Sequence, residues 1–194
     1  MIQRRRRAVR DFARFKPYLS TKAYTEARAL YLALLDLPVS KANRTHCHHM
    51  IFPYIAVYKT LSGCEQDALA HVHAIMTHQK VAPANRLLRR IFRLPGLYRL
   101  FPQMVRLSLK TTYKESGDGF QRKVIVQRRD CICFHMLRCP YQRYCAEQGV
   151  PELCDVFCTS DETVMADVHP RLIFERSQTL GRSGECCDFC YRVI

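Results

Sequence analysis

Apolar positions recur at helical spacing through the first half of the chain and at strand spacing through much of the second. Val9, Phe12, Phe15 and Leu19 predict an amphipathic helix in a basic opening. Ser20 or Thr21 can cap a second helix with the stripe Ala23, Ala27, Leu30, Leu34 and Leu37, which Pro38 ends. Residues 43–49 read as a polar break holding three histidines, and residues 50–61 as a helix apolar on nearly every side. Glu65, Gln66 and Asp67 open the next helix, with acids where the helix dipole favours them. Two more helices, 83–92 and 97–110, are separated at Pro95-Gly96. The stripe at 87–93 is expected to pack on the domain; lying on a membrane surface is the alternative.

The pattern changes at 115–119, where two glycines and an aspartate make a turn. Residues 120–127 alternate with period two, and 129–138 read as the neighbouring strand. Pro140 suits the first position of a short helix ending at Gly149. Pro151 opens another helix, which runs to about 168. Strands follow at 172–180 and 186–193, joined by the turn 181–184. The expected fold class is α+β: an N-terminal helical region, then a small antiparallel sheet in the order β-β-α-α-β-β packed against helices. The expected divisions are a basic N-terminal extension or helix (1–20), a helical region (21–114) and an α+β region (119–194), together one compact domain.

Composition narrows the class. The 194 residues can bury a good core, and 48% hydrophobic with 25% charged residues is a globular balance. The net charge of +14 is unusual. Part of it is Arg4, Arg5, Arg6, Arg7, Arg10, Arg14 and Lys16 against Asp11, and part a patch at Arg86, Arg89, Arg90, Arg93, Arg99 and Arg106. Such clusters attract phosphate, anionic membrane or acidic substrates, although a solvated helix face is the plainer reading. Nucleic-acid binding needs a recognition element as well, and no C2H2 spacing, RNP aromatic box or heptad-bearing basic region is present, so nucleic acid is not the expected partner. The longest apolar run is too short to span a bilayer, and no apolar region follows the basic N-terminus as in a signal peptide. Eleven cysteines, an odd number, then point to a reducing cytoplasm and mostly free thiols.

His46, His48, His49, His71, His73 and His78 invite a metal reading. The two-residue spacings within 46/48 and 71/73 splay ligands apart on a helix, so these are expected to be ordinary polar histidines. The chemistry concentrates in 139–189. Cys158 precedes Asp161 by three residues on a predicted helix, so thiol and carboxylate share a face. Cys187 is followed at once by Asp188, and Arg176 interrupts an apolar run. A carboxylate alone raises a thiol's pKa; a cation, Arg176 or His169, is needed to offset it. Arg176 can also clamp a substrate carboxylate. The structural reading of the same residues is a core thiol at Cys158, a buried ion pair at Arg176 and a turn acid at Asp188. No cofactor is the first expectation. The alternative is zinc or an iron–sulfur cluster on Cys139, Cys158, Cys187 and Cys190, although Cys187 and Cys190 point to opposite faces if they share a strand.

The run Cys139 … Gly149-Val150-Pro151-Glu152-Leu153 … Phe157-Cys158-x-x-Asp161 … Phe174-x-Arg176-x-x-Thr179-Leu180 … Gly184-x-x-Cys187-Asp188-Phe189 resembles the L-2-amino-thiazoline-4-carboxylic acid hydrolase family, most strongly over 124–191. Cys186, Cys190 and the basic N-terminus depart from its pattern. The resemblance implies hydrolysis of a cyclic amidine-type carbon–nitrogen system, opening a thiazoline ring toward N-carbamoyl-cysteine. It points to Cys158, Asp161, Cys187 and Asp188 as catalytic, with Arg176, Thr179 and Cys139 binding the small-molecule substrate. A non-catalytic ligand- or metal-binding module of the same fold is the rival, and either is compatible with a homo-oligomer.

Overall fold

The computed structural model describes residues 2–113, 115 and 117–194, with the side chains of the first helix from residue 7 onward; the Arg4, Arg5 and Arg6 side chains of the basic opening lie outside the described residues. Helix α1 (Ile2–Phe12) runs into a 3-10 turn (Ala13–Tyr18). Both carry aromatics into the core. Phe12 stacks on Tyr31 at 4.7 Å, and Phe15 meets Tyr54 edge-on at 5.1 Å. Helix α2 (Thr21–Leu34) begins at Ser20, whose Oγ accepts the Ala23 N–H at 3.2 Å. A cap of this kind contributes about 1 kcal/mol. Its Ala23, Ala27, Tyr31 and Leu34 are buried on one face.

The expected break at 43–49 is helical instead. α3 (Arg44–His46) continues through a π turn (Cys47–Ile51) into α4 (Phe52–Ser62). The polar residues tolerated there have partners: Asn43 Nδ2 donates to the Asp118 carbonyl, and His46 binds through both ring nitrogens. Residues 52–58 of α4 are buried without exception, as its uniform hydrophobicity predicts. α5 (Ala68–Met76), a second π turn (Thr77–Val81) and α6 (Ala82–Phe92) form another continuous run. Gly96, at φ +77°, turns the chain toward α7 (Phe101–Thr111). Here one expectation fails. Phe92 packs inward from α6, but Leu87, Ile91 and Leu94 remain exposed.

The second half is the expected β-β-α-α-β-β. It comprises β1 (Gln121–Arg128), β2 (Cys131–Arg138), α8 (Pro140–Glu147), α9 (Cys154–Met165), β3 (Leu172–Glu175) and β4 (Cys187–Val193). The fold is α+β, with one antiparallel sheet ordered β1-β2-β4-β3. β3 is shorter than its apolar run because the chain turns after Arg176. The Ser177 and Gln178 N–H groups donate to the Asp188 carboxylate instead of a ladder partner. Period-two alternation sorts the two central strands. Phe134 and Met136 pair in register with Phe189 and Cys187 on the face toward the helices. Cys133 and Cys190, also directly paired, belong to the other face.

Two cores result. One is made by α1, α2, α4, α5 and the first turns of α9; the other lies between α7 and the sheet. Tyr141 packs against both, and a cavity opens where they meet.

Candidate active site

The cavity holds about 410 Å³, a volume suited to a small ligand. Phe134, Phe189 and Tyr191 of the sheet form one side; Phe101 and Val105 of α7 form another. α9 supplies Cys158 and Asp161, one helical turn apart on the same side as the spacing requires. Cys139, Cys187 and Arg176 complete the polar wall. Five of the seven residues singled out in the sequence therefore face one hollow.

The other two lie just behind it. Thr179 is buried, and its Oγ1 has no partner of regular hydrogen-bond geometry, yet it lies close enough to Cys158 to favour the thiolate. Asp188 does not line the cavity. Its carboxylate accepts from the Ser177 N–H, the Ser177 hydroxyl and the Gln178 N–H, and these bonds outweigh desolvation and hold it below the usual carboxylate range. It fixes the turn directly after Arg176, the structural role that the sequence also allowed.

Arg176 anchors the site. Its side chain is 1% exposed. Nη1 donates to Asp161 at 3.1 Å, and Nη2 donates to Glu162 at 2.7 Å and to the Cys158 carbonyl at 2.8 Å. The guanidinium also lies 5.2 Å from the centre of the Phe189 ring. It is thus engaged by protein carboxylates, one of which, Glu162, carried no signal in the sequence.

The titration of Cys158 and Asp161 is inverted from the ordinary order. The Asp161 side chain is 42% accessible, and it lines the cavity. Desolvation there dominates, and despite Arg176 it pushes the carboxyl up to about 7. Cys158 goes the other way. The Cys154 thiol, one turn earlier on α9, donates to its sulfur, and the Thr179 hydroxyl, the Arg176 charge and the Gly181 N–H add to the effect. Together they outweigh desolvation and lower the Cys158 pKa, while Cys154 holds its own proton more tightly. The other two cavity thiols stay neutral. Burial pushes Cys187 up to about 11 and Cys139 to about 12.

Close approach of the Gly181 backbone makes this possible. A Cβ at Gly181 would stand 2.8 Å from Cys158 Sγ and 2.9 Å from Cys154 Sγ. Gly181→Ala is expected to cost about 1–3 kcal/mol by overpacking. It is also expected to slow alkylation of Cys158, read by denaturant midpoint and by peptide mapping after iodoacetamide.

Sequence reasoning passed over the cavity tyrosines. Tyr113, Tyr141 and Tyr191 all line the hollow. His46 Nδ1 lies 3.0 Å from the Tyr141 hydroxyl, with Nε2 3.1 Å from the Thr112 carbonyl. Because a carbonyl only accepts, Nε2 carries the proton, and Tyr141 donates to Nδ1. Burial lowers the His46 pKa and keeps the ring neutral. Tyr141 follows Cys139-Pro140 at the start of α8, the one sequence cue to its position.

The four thiols of the alternative metal set do not come together. Cys139, Cys158 and Cys187 line the cavity, whereas the Cys190 sulfur lies across the sheet, bonded to Cys133. That disulfide joins residues directly opposite in register, while the other nine cysteines are free. Among the described residues, Cys131 has its sulfur within 4.8 Å of the bonded pair, but two of the three sulfurs are held in the disulfide and are not thiolate ligands. The three share no residue with the cavity.

A model of the family described as L-2-amino-thiazoline-4-carboxylic acid hydrolase matches residues 44–191. The chain belongs to that family. The match spans the helices that bury Tyr54 and Phe157 as well as every residue of the cavity's polar wall, so the family relationship reaches well into the helical half. No curated protein and no solved structure matches the chain. No helix is long and apolar enough to cross a membrane among the described residues.

Proposed function

We propose that the protein is a hydrolase that opens a cyclic amidine of the thiazoline type, converting L-2-amino-thiazoline-4-carboxylate or a close relative to the N-carbamoyl amino acid. The observation that carries this reading is the placement of Cys158 and Asp161 together on one helix face in a single hollow, with their titration shifted in opposite directions. Family membership supports the substrate class.

At C2 of the ring an electrophilic carbon is bonded to two nitrogens and a sulfur. The Cys158 thiolate attacks it, and protonated Asp161 gives its proton to the departing ring sulfur. The C2–S bond breaks, leaving an isothiourea on Cys158 and a free thiol on the substrate. Asp161, now a carboxylate, takes a proton from water as the water adds to the same carbon. The bond to Cys158 then breaks, releasing the N-carbamoyl product and restoring a thiolate and a carboxylic acid. The sum is substrate plus water, with no proton unaccounted for. One residue serves as acid and then as base, and its pKa of about 7 suits both tasks near neutrality.

Arg176 acts both through Asp161 and on the substrate, and Asp188 acts at one remove. Arg176 orients Asp161 and favours the thiolate, and Asp188 locks the turn that carries Arg176. When Asp161 is protonated its hold on Nη1 weakens, and that corner of the guanidinium is the cation a substrate carboxylate meets. Tyr141, Tyr113 and Cys139 bound the ring pocket as neutral groups.

The test is incubation of the purified protein with L-2-amino-thiazoline-4-carboxylate and a panel of oxazoline, imidazoline and thiazoline analogues, read by mass spectrometry. A gain of one water on the thiazoline is expected. Substrate that survives unchanged, with the whole panel equally inert, would remove the assignment.

A further inference from the structure

The surface formed by α6 and α7 carries a pattern unrelated to the cavity chemistry. Residues 82–110 contain Arg86, Arg89, Arg90, Arg93, Arg99, Arg106 and Lys110 and no aspartate or glutamate, so seven cations stand without an acid. Among the described residues none of the seven forms an ion pair with a carboxylate. Of the eleven large hydrophobic residues exposed among those described, six fall in this segment: Leu87, Ile91, Leu94, Leu100, Met104 and Leu107. Isolated exposed leucines need no explanation; a cluster does.

The spacing organises them. Leu87 and Ile91 lie one turn apart on α6 with Leu94 just beyond its end, and Met104 and Leu107 lie one turn apart on α7 with Leu100 just before it, so each helix carries part of an apolar row that continues past it. Beside the first row runs a second at 86, 90 and 93, all arginine and all exposed. Phe92 and Phe101, 5.0 Å apart and edge-on, are buried in the same core, while Leu87, Ile91, Leu94, Leu100 and Leu107 stay exposed outside it and Met104 reaches the cavity lining.

We propose that this α6–α7 face docks on an anionic lipid bilayer, with the arginines at the headgroups and the leucines in the acyl boundary. A bilayer surface supplies negative charge and an apolar layer within one side-chain length of each other, the pairing this face presents. Single-stranded nucleic acid fits less well, because such binders stack bases on exposed aromatics, and Phe92, Tyr98 and Phe101 are buried. α7 is also a cavity wall: Phe101, Val105 and Leu109 line the hollow from its inner side. Met104 of the exposed row also lines the hollow, so the docked face and the cavity meet at α7.

The experiment is co-sedimentation of the full chain with vesicles of phosphatidylcholine alone and of phosphatidylcholine mixed with phosphatidylglycerol, over a salt series. Binding is expected to the anionic vesicles alone and to weaken as salt rises. Each Leu→Ser change at 87, 94, 100 or 107 is expected to weaken it about tenfold. Arg90→Gln and Arg93→Gln are each expected to weaken it about fivefold. These positions are exposed, so circular dichroism should show the variants folded. Equal binding to both vesicle types, or retention by the quadruple serine variant, would overturn the proposal. So would binding to RNA or to an acidic protein without binding to vesicles.

Discussion

Replacing Cys158 with serine is expected to reduce turnover of L-2-amino-thiazoline-4-carboxylate by about four orders of magnitude. The Cys154 thiol, the Thr179 hydroxyl, the Gly181 N–H and the Arg176 charge together favour a thiolate. They cannot ionise a hydroxyl, whose own pKa lies far higher, so the nucleophile is lost while shape and packing are nearly kept. The comparison that gives this result meaning is with two other cavity thiols. Cys187→Ser and Cys139→Ser remove groups that burial keeps protonated, at about 11 and about 12, and each should retain turnover within about tenfold. Iodoacetamide at neutral pH should accordingly label the Cys158 peptide before those of Cys139 and Cys187. Initial rates and peptide mapping read both outcomes. Equal loss in all three variants would mean that the cavity thiols matter by packing and not by ionisation.

Asp161→Asn should lower kcat by about 10²- to 10⁴-fold, the usual contribution of a placed acid–base group. Its pH profile carries more information than its rate. On the proposed mechanism the active form of the native protein has Cys158 ionised and Asp161 protonated. Falling pH returns a proton to Cys158; rising pH strips Asp161 near 7. Turnover should therefore decline on both sides, with the alkaline limb close to neutrality, where a cysteine enzyme without such an acid keeps gaining rate. Asparagine holds no titratable proton, so the residual activity of the variant should lack the alkaline limb. Asp188→Asn, which disturbs the turn after Arg176 and not the cavity wall, should keep it. A native profile that climbs steadily from neutral to alkaline pH would refute the assignment of Asp161 as the acid.

Much of the fold was legible because hydrophobic period reports directly on which face is buried. The change from helical spacing to alternation after the 115–119 turn marks where the sheet begins, and Pro140 and Pro151 mark the two intervening helical segments. The Cys158–Asp161 adjacency follows from helix geometry alone. Register could not be read. That Cys133 meets Cys190, and that Phe134 meets Phe189, depends on how β2 aligns with β4, which no local spacing encodes. Nor could the close approach of Gly181 to Cys158, since it joins two segments across the fold. Tyr113, Tyr141 and Tyr191 look like core residues in sequence because a cavity wall and a packed core use the same side chains. Asp188 misled for a different reason: an acid beside a thiol reads as chemistry until the turn it holds is visible. The exposed row on α6 ran against the default that an amphipathic stripe faces inward, and its flanking arginines were the cue to the contrary.

The claim on which the mechanism stands is a covalent bond from substrate to Cys158. Acid-quenching the enzyme during turnover of L-2-amino-thiazoline-4-carboxylate, followed by peptide mass mapping, measures it directly. The account predicts that the Cys158 peptide gains the mass of the opened substrate and that no other cysteine peptide does. Steady turnover with an unmodified Cys158 peptide throughout, or the added mass on Cys187 or Cys139, would contradict it.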